Sequence, residues 1–322
     1  MRARDTIIGI VSFNTCELTL QAIAAARRAA AGLDTALVVA DNGSTDGTPE
    51  AVRAAFPDAE VLVYGDNPGY GAALDRAFAR FPGAYLCALN ADVLLEPGCL
   101  RTLRDFLEGH PECGLAGPSF TGRDGRPQAS CKRLPTLGFA LGELFALHAL
   151  APGNRWNRHF YYVGENLRGA TYVETVSGAA MLIRGEAFRR VGGFDEGFRL
   201  YFEETDLCRR LQGAGYRVAF VPEARAIHWH GASTLQTSAR QVEYYLSYRR
   251  FMRKHGGPGA ARILSAAIAL STAGRMLLLP FKYPPLSKRG AAALAPKLGA
   301  CRRLLCALGR PEAALPAEAR RP

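Results

Sequence analysis

The sequence predicts an α/β protein whose central sheet is mostly parallel and is flanked by helices. Runs of β-branched and other apolar residues alternate with helix-forming segments over the first third of the chain. Strands that alternate with helices in this way form a parallel sheet covered on both faces. Two predicted strands end in a carboxylate, Asp41 and Asp92. Because the carboxyl ends of parallel strands meet at one edge of a sheet, both side chains are expected beside a ligand-binding crevice.

Each strand of this first third is followed by a predicted helix. Uninterrupted apolar runs are typical of buried strands. Asn14 and Thr15 can cap the first helix, which Gly32 ends, and Thr48 with Pro49 at the first helical position begins the second. In chain order the predicted elements are strand 7–13, helix 17–31, strand 36–40, helix 50–56, strand 59–64, a helix ending at 80, a strand from 86 and helix 99–108.

The stretch 86–97 is the centre of the prediction. Its apolar run stops at Asn90, Ala91 and Asp92 and resumes over residues 93–95. A carboxylate between core-forming residues is costly to bury unless a cation, a hydrogen-bond donor or solvent compensates it. By itself, this stretch fits a divalent-metal site and equally fits a strand followed by a polar turn.

Residues 114–173 have no clear hydrophobic period and are predicted to be variable insertions around the crevice, with short helices near 137–149. Regular structure is predicted again from residue 176. The predicted elements are strand 176–183, a helix through 191, a turn at 192–195, helix 200–211 and strand 216–221.

Charged residues and histidines mark the C-terminal half as a second candidate region. Glu203, Glu204 and Asp206 begin a helix that has a basic end, and the helix dipole alone accounts for that order. Helix starts are also places where ligands bind. His228 and His230 would point to the same side of an extended chain. A single histidine is more often structural, but neutral imidazole is also a common metal ligand.

Composition limits the classes of partner and compartment. The net charge of +11 favours anionic partners such as phosphorylated ligands or an anionic membrane. Nucleic acid is not expected, because the basic residues crowd the tail instead of forming a stripe with interleaved aromatic residues.

The 8 cysteines form no C-x-x-C pair, which indicates reduced thiols and a cytoplasmic protein. The apolar run 7–13 is too short for the core of a signal peptide.

Residues 256–322 are predicted to be a basic, partly apolar helical tail. The apolar run 263–274 is shorter than the ~20 residues that a membrane-spanning helix needs. From Lys282 onward, lysine and arginine far outnumber the acidic residues, which are Glu312 and Glu318. An apolar helix with basic flanks is typical of a segment that lies on an anionic membrane surface. An ordinary domain-docking helix with a solvated tail fits equally well.

Taken together, the motifs resemble the inverting glycosyltransferases of family 2, which have a GT-A type fold, and especially their bacterial rhamnosyltransferase-like branch. Each motif alone is weak, but the set follows the family's order over about residues 7–234. The motifs are IVSFN at 10–14, VADNGSTDG at 39–47, NPGYG at 67–71, LNAD at 89–92, GGFDE at 192–196, YFEETDL at 201–207 and HWHG at 228–231. The expected domains are a transferase domain 1–255 (nucleotide-sugar half 1–113, insertion 114–175, acceptor and catalytic half 176–255) and the tail 256–322.

The resemblance implies a donor-binding site at the ends of the first strands. Asp41 would accept a hydrogen bond from the imide of uracil or thymine, and Ser12 and Asn67 would hold the nucleoside. The same comparison assigns three further donor-binding residues: Gly71, Asn90 and Ala91.

A divalent cation, Mg²⁺ or Mn²⁺, is implied at the last position of the family's D-x-D-like motif, which is Asp92. The first position is Asn90, so the site carries one negative charge fewer, and the donor phosphates must complete the shell. His228 matches the family's histidine after the last strand and is a further metal or diphosphate contact. His230 is its alternative.

The resemblance assigns the general base to Glu204, where many relatives carry Asp. This carboxylate would take the proton of the acceptor hydroxyl. Glu203 cannot share the task, because neighbours on a helix point about 100° apart. Glu203 and Asp206 remain further candidates for the site.

The implied function is the metal-dependent, inverting transfer of a sugar, with rhamnose from dTDP-rhamnose favoured, to a bacterial saccharide or lipid-linked acceptor. Other UDP- or GDP-sugar transferases of the family are the alternative. A nucleotidyltransferase would need a Gly-rich basic loop after the first strand, which residues 12–16 do not provide. A catalytically inactive sugar-nucleotide-binding module would usually have lost the carboxylates that this chain keeps. The expected location is the cytoplasm, with peripheral contact at the inner face of the plasma membrane through the tail.

Overall fold

The computed structural model describes residues 5–146, 155–162, 167–229, 238–283 and 288–309. Its strands are β1 (Thr6–Ser12), β2 (Thr35–Asp41), β3 (Glu60–Val63), β4 (Tyr85–Asn90), β5 (Val93–Leu95), β6 (Cys113–Thr121), β7 (Pro127–Gln128), β8 (Cys131–Lys132), β9 (Thr171–Tyr172), β10 (Thr175–Val176), β11 (Ala180–Arg184) and β12 (Arg217–His228). Its helices are α1 (Cys16–Ala29), α2 (Thr48–Ala55), α3 (Tyr70–Arg80), α4 (Cys99–Gly109), α5 (Leu137–Leu144), α6 (Arg155–Phe160), α7 (Gly185–Arg190), α8 (Glu203–Gly213), α9 (Ser238–Lys282) and α10 (Lys288–Leu308).

The chain folds into two compact units. The first consists of Met1–Leu134, Arg158–Arg199 and Glu203–Leu235, and it contains the main sheet. The second consists of Pro135–Asn157, Leu200–Phe202 and Gln236–Pro322, and it contains α5, α9 and α10.

The first unit is built on a mixed sheet with the strand order β3-β2-β1-β4-β11-β6-β12-β5, with β7 beside β6 and β9 beside β12. Strands β3, β2, β1 and β4 are parallel to one another. Strand β11 is antiparallel to β4 and β6, and β12 is parallel to β6. The predicted mostly parallel sheet with flanking helices and a C-terminal helical tail is confirmed.

Both faces of this sheet are buried, which explains the uninterrupted apolar runs. On β1, Ile8 packs in the core cluster that includes α1 and α4, whereas Ile7 packs in the cluster on the other face with α3 and α8. Gly9 lies directly below α3. A Cβ there would be 2.8 Å from Leu74 Cδ2 and 2.9 Å from Phe78 Cε1, so α3 packs against the backbone of β1.

Two predicted elements differ from the structure where they approach the candidate site. The helix predicted over 200–211 begins at Glu203, because Tyr201 and Phe202 both have φ of 68°, a left-handed conformation. The strand predicted over 176–183 is interrupted, and its two parts are β10 and β11. Both changes shape the backbone around Glu203 and Glu204.

The last strand of the main sheet is longer than predicted. The sequence predicted a strand over 216–221, but β12 continues to His228 after an irregularity between Val221 and Arg225. The extension carries His228 to the edge of the sheet beside β5, where it pairs with Val93.

In the second unit, α9 bends at Gly257, which has φ of 82° and precedes Pro258. The Ser271 hydroxyl donates a hydrogen bond to the Leu144 carbonyl at 3.2 Å, which joins α9 to α5. The apolar run 263–274 is only part of a longer helix. By length and composition alone, the helix Arg240–Lys282 is long and apolar enough to cross a membrane, so the shortness of the run 263–274 does not by itself exclude a spanning helix.

Asp75 on α3 is a titratable group in the framework of the first unit. It accepts a hydrogen bond from the Phe194 backbone N at 3.0 Å. Burial raises the pKa of Asp75 to about 7, although this hydrogen bond opposes the shift. Because the folded-state pKa lies above the unfolded value of 3.8, the folded state binds more protons between these two values. Stability from this group therefore falls as pH rises through that window.

The Asp75→Asn variant keeps an acceptor for Phe194 and removes the titration. We expect its melting temperature to exceed that of the wild type by more at pH 8 than at pH 5, as measured by thermal denaturation at both pH values. Asp66→Asn is the control, since Asp66 is exposed and pairs with Arg76 at 3.1 Å. An equal difference at both pH values would show that Asp75 does not titrate in this window.

Candidate functional site

Asp41 lies at the carboxyl end of β2 and is fully buried. Its Oδ1 accepts hydrogen bonds from the backbone N of Gly43 at 3.1 Å and of Ser44 at 2.8 Å. Its Oδ2 accepts hydrogen bonds from the hydroxyls of Ser12 at 2.7 Å and Ser44 at 2.6 Å. A carboxylate offers about four acceptor positions. A nucleobase that donates to this carboxylate would therefore displace one of these donors.

The loop that carries Asn67 lies next to the Asp41 loop. The Tyr64 backbone N donates to the Asp41 carbonyl at 2.7 Å, and the Asn67 N donates to the Tyr64 carbonyl at 3.4 Å. Asn67 has φ of 42°, a left-handed conformation that asparagine tolerates. The structure thus brings Ser12, Asp41 and Asn67 to neighbouring positions at one edge of the sheet.

The turn Asn90-Ala91-Asp92 follows β4 at the same edge. The Asn90 backbone N donates to the Ala179 carbonyl at 2.9 Å, and the Trp229 backbone N donates to the Asp92 carbonyl at 2.9 Å. Ala91 and Asp92 are buried, and Asn90 is half-buried. These bonds hold the turn between the segment that precedes β11 and the end of β12.

The side chain of His228 faces Asp92 across this edge. Its Nε2 lies 3.7 Å from Asp92 Oδ1. Gln128 Nε2 donates to the His228 backbone carbonyl at 3.0 Å, and Gln128 Oε1 lies 3.1 Å from His228 Nδ1. Because a carbonyl can only accept, this contact fixes the orientation of the Gln128 amide and places a proton on Nδ1. In the neutral imidazole, Nε2 then carries a lone pair directed toward Asp92.

Asp92 and His228 fit a divalent cation. When the imidazole is neutral, Nε2 and the facing Asp92 Oδ1 both offer a lone pair and can bind one cation. Their separation of 3.7 Å is too long for a hydrogen bond, but ligands that are each about 2.1 Å from a shared ion lie about 3.0–4.2 Å apart. Among the described residues, no group of three or more His, Cys, Asp and Glu side chains is placed to hold a metal ion. His230 lies outside the described residues.

Glu203 and Glu204 are the first two residues of α8 and are both buried. Lys132 Nζ lies 2.9 Å from Glu204 Oε1, and the Thr205 hydroxyl donates to the same oxygen at 2.8 Å. Burial and the neighbouring charge of Glu204 raise the pKa of Glu203. Burial also opposes ionisation of Glu204, but the charge and hydrogen bond of Lys132, together with Thr205, lower its pKa below the ordinary value. The two neighbouring carboxyls are therefore shifted in opposite directions, and Glu204 is the one whose ionised form is favoured.

The segment 177–179 connects Glu204 with the end of β4. A Cβ at Gly178 would lie 3.2 Å from Glu204 Cβ and Cγ, so the glycine packs directly on the glutamate side chain. The Tyr70 hydroxyl donates to the Gly178 carbonyl at 2.7 Å. Burial, together with nearby carboxyl groups, raises the pKa of this phenol. Glu204 and Asp92 therefore lie on either side of one short, well-anchored segment.

Glu204 and His228 line the same cavity, which has a volume of about 490 Å³. Cavities of a few hundred Å³ hold small-molecule ligands. Most of the other lining residues come from the segment 128–132, which runs from the end of β7 through β8. They are Gln128, Ala129, Ser130, Cys131 and Lys132, together with Tyr161 and Ser177.

Two predicted site residues have packing roles and are not among those that line this cavity. A Cβ at Gly71 would lie 2.9 Å from Phe194 Cβ, so α3 packs closely on the turn at 192–195. Asp206 is fully buried and accepts a hydrogen bond from Arg210 Nε at 2.7 Å within α8. Arg210 Nη1 also donates to the Val191 carbonyl at 2.6 Å. Both residues stabilise the elements around the site.

Lys132 and Gln128 were not among the site residues predicted from the sequence. They lie in the segment 114–173, which has no hydrophobic period to predict its structure. One signal was present: Gln128, Ser130 and Lys132 alternate with Ala129 and Cys131. In an extended chain this alternation places the three polar side chains on one face.

Comparison with known proteins gives two matching family models. Residues 7–192 match the model described as Glycosyl transferase family 2, and residues 143–293 match Glycosyl transferase family group 2. An N-acetylglucosaminyl-diphospho-decaprenol L-rhamnosyltransferase of Mycobacterium tuberculosis is 34% identical over 210 residues, which cover 62% of this chain and 67% of that protein. Rhamnosyltransferase WbbL of Escherichia coli is 38% identical over 104 residues, which cover 28% of this chain and 39% of WbbL.

Solved structures with the same fold include two glycosyltransferases. The mannosyltransferase PcManGT from Pyrobaculum calidifontis, in complex with GDP-Man and Mn²⁺, has a TM-score of 0.53 and 16% identity, covering 95% of this chain and 88% of that one. GalNAc-T7 with UDP, GalNAc and Mn²⁺ has a TM-score of 0.54 and 14% identity, covering 78% and 48%. At these identities the similarity concerns the fold alone.

Proposed function

This chain belongs to glycosyltransferase family 2 and is a nucleotide-sugar glycosyltransferase with the GT-A fold, and from that premise we propose its substrates and the roles of its residues. The proposed reaction is an inverting transfer of rhamnose from dTDP-rhamnose to a lipid-linked diphospho-sugar or a bacterial saccharide. The observation that carries the proposal is the shared cavity: Glu204 and His228 both line it, and His228 lies 3.7 Å from Asp92.

The choice of rhamnose and of a lipid-linked acceptor is supported by the names of the relatives. Both the mycobacterial and the Escherichia coli relatives are named rhamnosyltransferases, and the first name specifies a diphospho-decaprenol acceptor. The nucleoside is assigned to the loops at Ser12, Asp41 and Asn67. Asn90 and Ala91 then lie between the nucleoside and the reacting sugar.

Glu204 acts as the general base in the proposed mechanism. The acceptor oxygen attacks the anomeric carbon while its proton passes to Glu204. As the new carbon–oxygen bond forms, the bond from the anomeric carbon to the diphosphate oxygen breaks, and its electron pair leaves with the nucleoside diphosphate. Attack occurs opposite the leaving group, so the anomeric configuration inverts. Burial and the charge of Glu204 raise the pKa of Glu203, which favours Glu204 for this role.

Asp92 and His228 would hold Mg²⁺ or Mn²⁺. When bound, the ion neutralises charge that develops on the departing diphosphate. Asn90 adds no negative charge to Asp92, so we infer that phosphate oxygens complete the shell and that the metal binds most tightly together with the nucleotide. Gln128 orients His228 and keeps its Nε2 directed toward Asp92.

The Glu204→Gln variant tests the proposed reaction and its base. With dTDP-rhamnose and a lipid-linked N-acetylglucosamine diphosphate, we expect the wild type to transfer rhamnose and the variant to be slower by about 10²–10⁴-fold, because the proton acceptor is lost. Donor binding, measured by thermal shift, is expected to persist. Glu174→Gln is the matched control, since Glu174 also pairs with a cationic residue, Arg133 at 3.4 Å, but does not line the cavity. Near-normal transfer by Glu204→Gln would remove Glu204 from this role.

The Gln128→Leu variant tests the metal site without an activity assay. Loss of the amide removes the hydrogen bond that orients the His228 ring and keeps the proton on Nδ1. We therefore expect Mn²⁺ affinity in the presence of dTDP to fall about 10–100-fold. Titration of free Mn²⁺ by electron paramagnetic resonance measures this change. Gln128→Glu retains an acceptor for Nδ1 but loses the donor to the His228 carbonyl, so its affinity should lie between those of Gln128→Leu and the wild type. If Asp92→Asn weakens Mn²⁺ binding and Gln128→Leu does not, the orienting role of Gln128 is wrong.

We propose that α9 contacts the inner face of an anionic membrane, which would bring the enzyme to a lipid-linked acceptor. After the bend at Gly257, this helix exposes Ile263, Leu270, Leu277 and Phe281, the last with 84% of its surface exposed. Positions seven residues apart lie on nearly the same side of a helix. Exposed cationic residues occur on the same helix and on α10, which suits anionic lipid headgroups. They are Arg262, Lys282, Lys297 and Arg302.

Flotation with vesicles tests this membrane contact. We expect the wild type to float with vesicles that contain anionic phosphatidylglycerol, and a Leu277→Glu, Phe281→Glu variant to remain in solution. Val63→Glu is the control, because Val63 is an exposed apolar residue, at 48%, on β3 of the first unit. Equal flotation of the variant and the wild type would refute the contact.

A further inference from the structure

Lys132 lies beside the start of α8, and hydrogen bonds fix its backbone. It lies in β8, and its position pairs with Thr175 of β10 in an antiparallel ladder. The Thr175 hydroxyl also donates to the Lys132 carbonyl at 2.9 Å, and the Ser177 backbone N donates to the Ser130 carbonyl at 2.9 Å. The small two-stranded sheet therefore fixes the backbone from which the Lys132 side chain reaches α8.

The ammonium group of Lys132 contacts one of two adjacent carboxyls. Its Nζ lies 2.9 Å from Glu204 Oε1, with 29% of the lysine side chain and 10% of the glutamate side chain exposed. Glu203 Oε2 is buried and receives no hydrogen bond from the described residues. The two glutamates have similar burial, and Glu204 differs in that it receives the contacts from Lys132 and Thr205.

The same contact determines which oxygen of Glu204 can take a proton. Lys132 and Thr205 both donate to Oε1. Neither of these side chains contacts Oε2. Because the side chain lines the cavity, an acceptor hydroxyl in the cavity can approach the oxygen that is not occupied by Lys132 and Thr205.

The other titratable groups around Glu204 do not supply its compensating charge. On α8 these are Glu203 and the thiol of Cys208, whose pKa burial raises to about 12. On α3 the nearby group is the buried phenol of Tyr70, and at the cavity wall it is the phenol of Tyr161. These groups are neutral or anionic. His228 and Asp92, the proposed metal ligands, belong to the other side of the site.

We propose that Lys132 is the positioning residue of the catalytic base: by holding Oε1 it makes Glu204, and not Glu203, the ionised carboxylate that receives the acceptor proton. This inference rests on the proposed role of Glu204. Lys132 itself need not touch the substrate. An opposite charge within about 4–6 Å favours the ionised form of a carboxyl by about 1–3 pH units, which is enough to decide between two buried neighbours.

The Lys132→Met variant removes the charge and keeps the apolar stem. In a plot of single-turnover rate against pH, the rate falls on the acidic side, and we expect this acidic limb to shift to higher pH by about 1–3 pH units. The rate should recover at high pH, and the Kd for dTDP-rhamnose should be unchanged. Lys132→Arg should restore most of the wild-type profile, and Thr205→Val should shift the limb in the same direction by less. Arg133→Met is the matched control. It removes the adjacent cation, which pairs with Glu174, and should leave the limb in place.

A second measurement does not need a known substrate. Infrared absorption of protonated carboxyl groups, followed from pH 5 to pH 8, should show one additional protonated carboxyl in Lys132→Met that is absent from the Lys132→Met, Glu204→Gln double variant. An unshifted limb together with an unchanged infrared titration would overturn the inference. Near-normal turnover by Glu204→Gln would overturn both this inference and the base assignment. An inactive Glu204→Gln with an unshifted Lys132→Met limb would overturn this inference alone.

Discussion

The burial of several carboxyl groups at one edge of a sheet is the constraint on which this site depends. An uncompensated charge in such a place is too costly to keep, so each carboxyl group is stabilised in a different way. Asp41 is satisfied by Ser12 and by its own loop. Glu204 pairs with Lys132, and burial raises the pKa of Glu203. Asp92 faces His228 at 3.7 Å, a separation that fits two ligands of one cation.

These different solutions separate the tasks of chemically similar side chains. A carboxylate surrounded by backbone N–H groups and hydroxyls orders a loop, as Asp41 does. A carboxylate that shares its oxygen with an ammonium group stays ionised without solvent, as Glu204 does. Burial without such a contact raises the pKa of a carboxyl, as it does for Glu203. The environment, and not the residue type, therefore assigns each role.

Much of the site could be predicted from local patterns, because its chain-adjacent parts are encoded locally. The strand that ends at Asp92, the turn after Asp41 and the acidic start of α8 are each visible in a few residues. Lys132 and Gln128 were not predictable in the same way, because they act on Glu204 and His228, which are 72 and 100 residues away in the chain. Their segment has no period, and only tertiary contacts reveal their partners. The helix start at Glu203 was missed for a related reason, since nothing in the sequence requires the positive φ of Tyr201 and Phe202.

One amide connects the two sides of the reaction centre. Gln128 binds both the backbone carbonyl and the ring of His228, and it also lines the cavity beside Glu204. An occupant of that cavity would contact the residue that orients the histidine, which would couple binding in the cavity to binding at the histidine. Thermodynamic linkage makes such a coupling reciprocal: whatever the first substrate does to the affinity of the second, the second does to the first. A single side chain would then link the two affinities without any movement of the sheet.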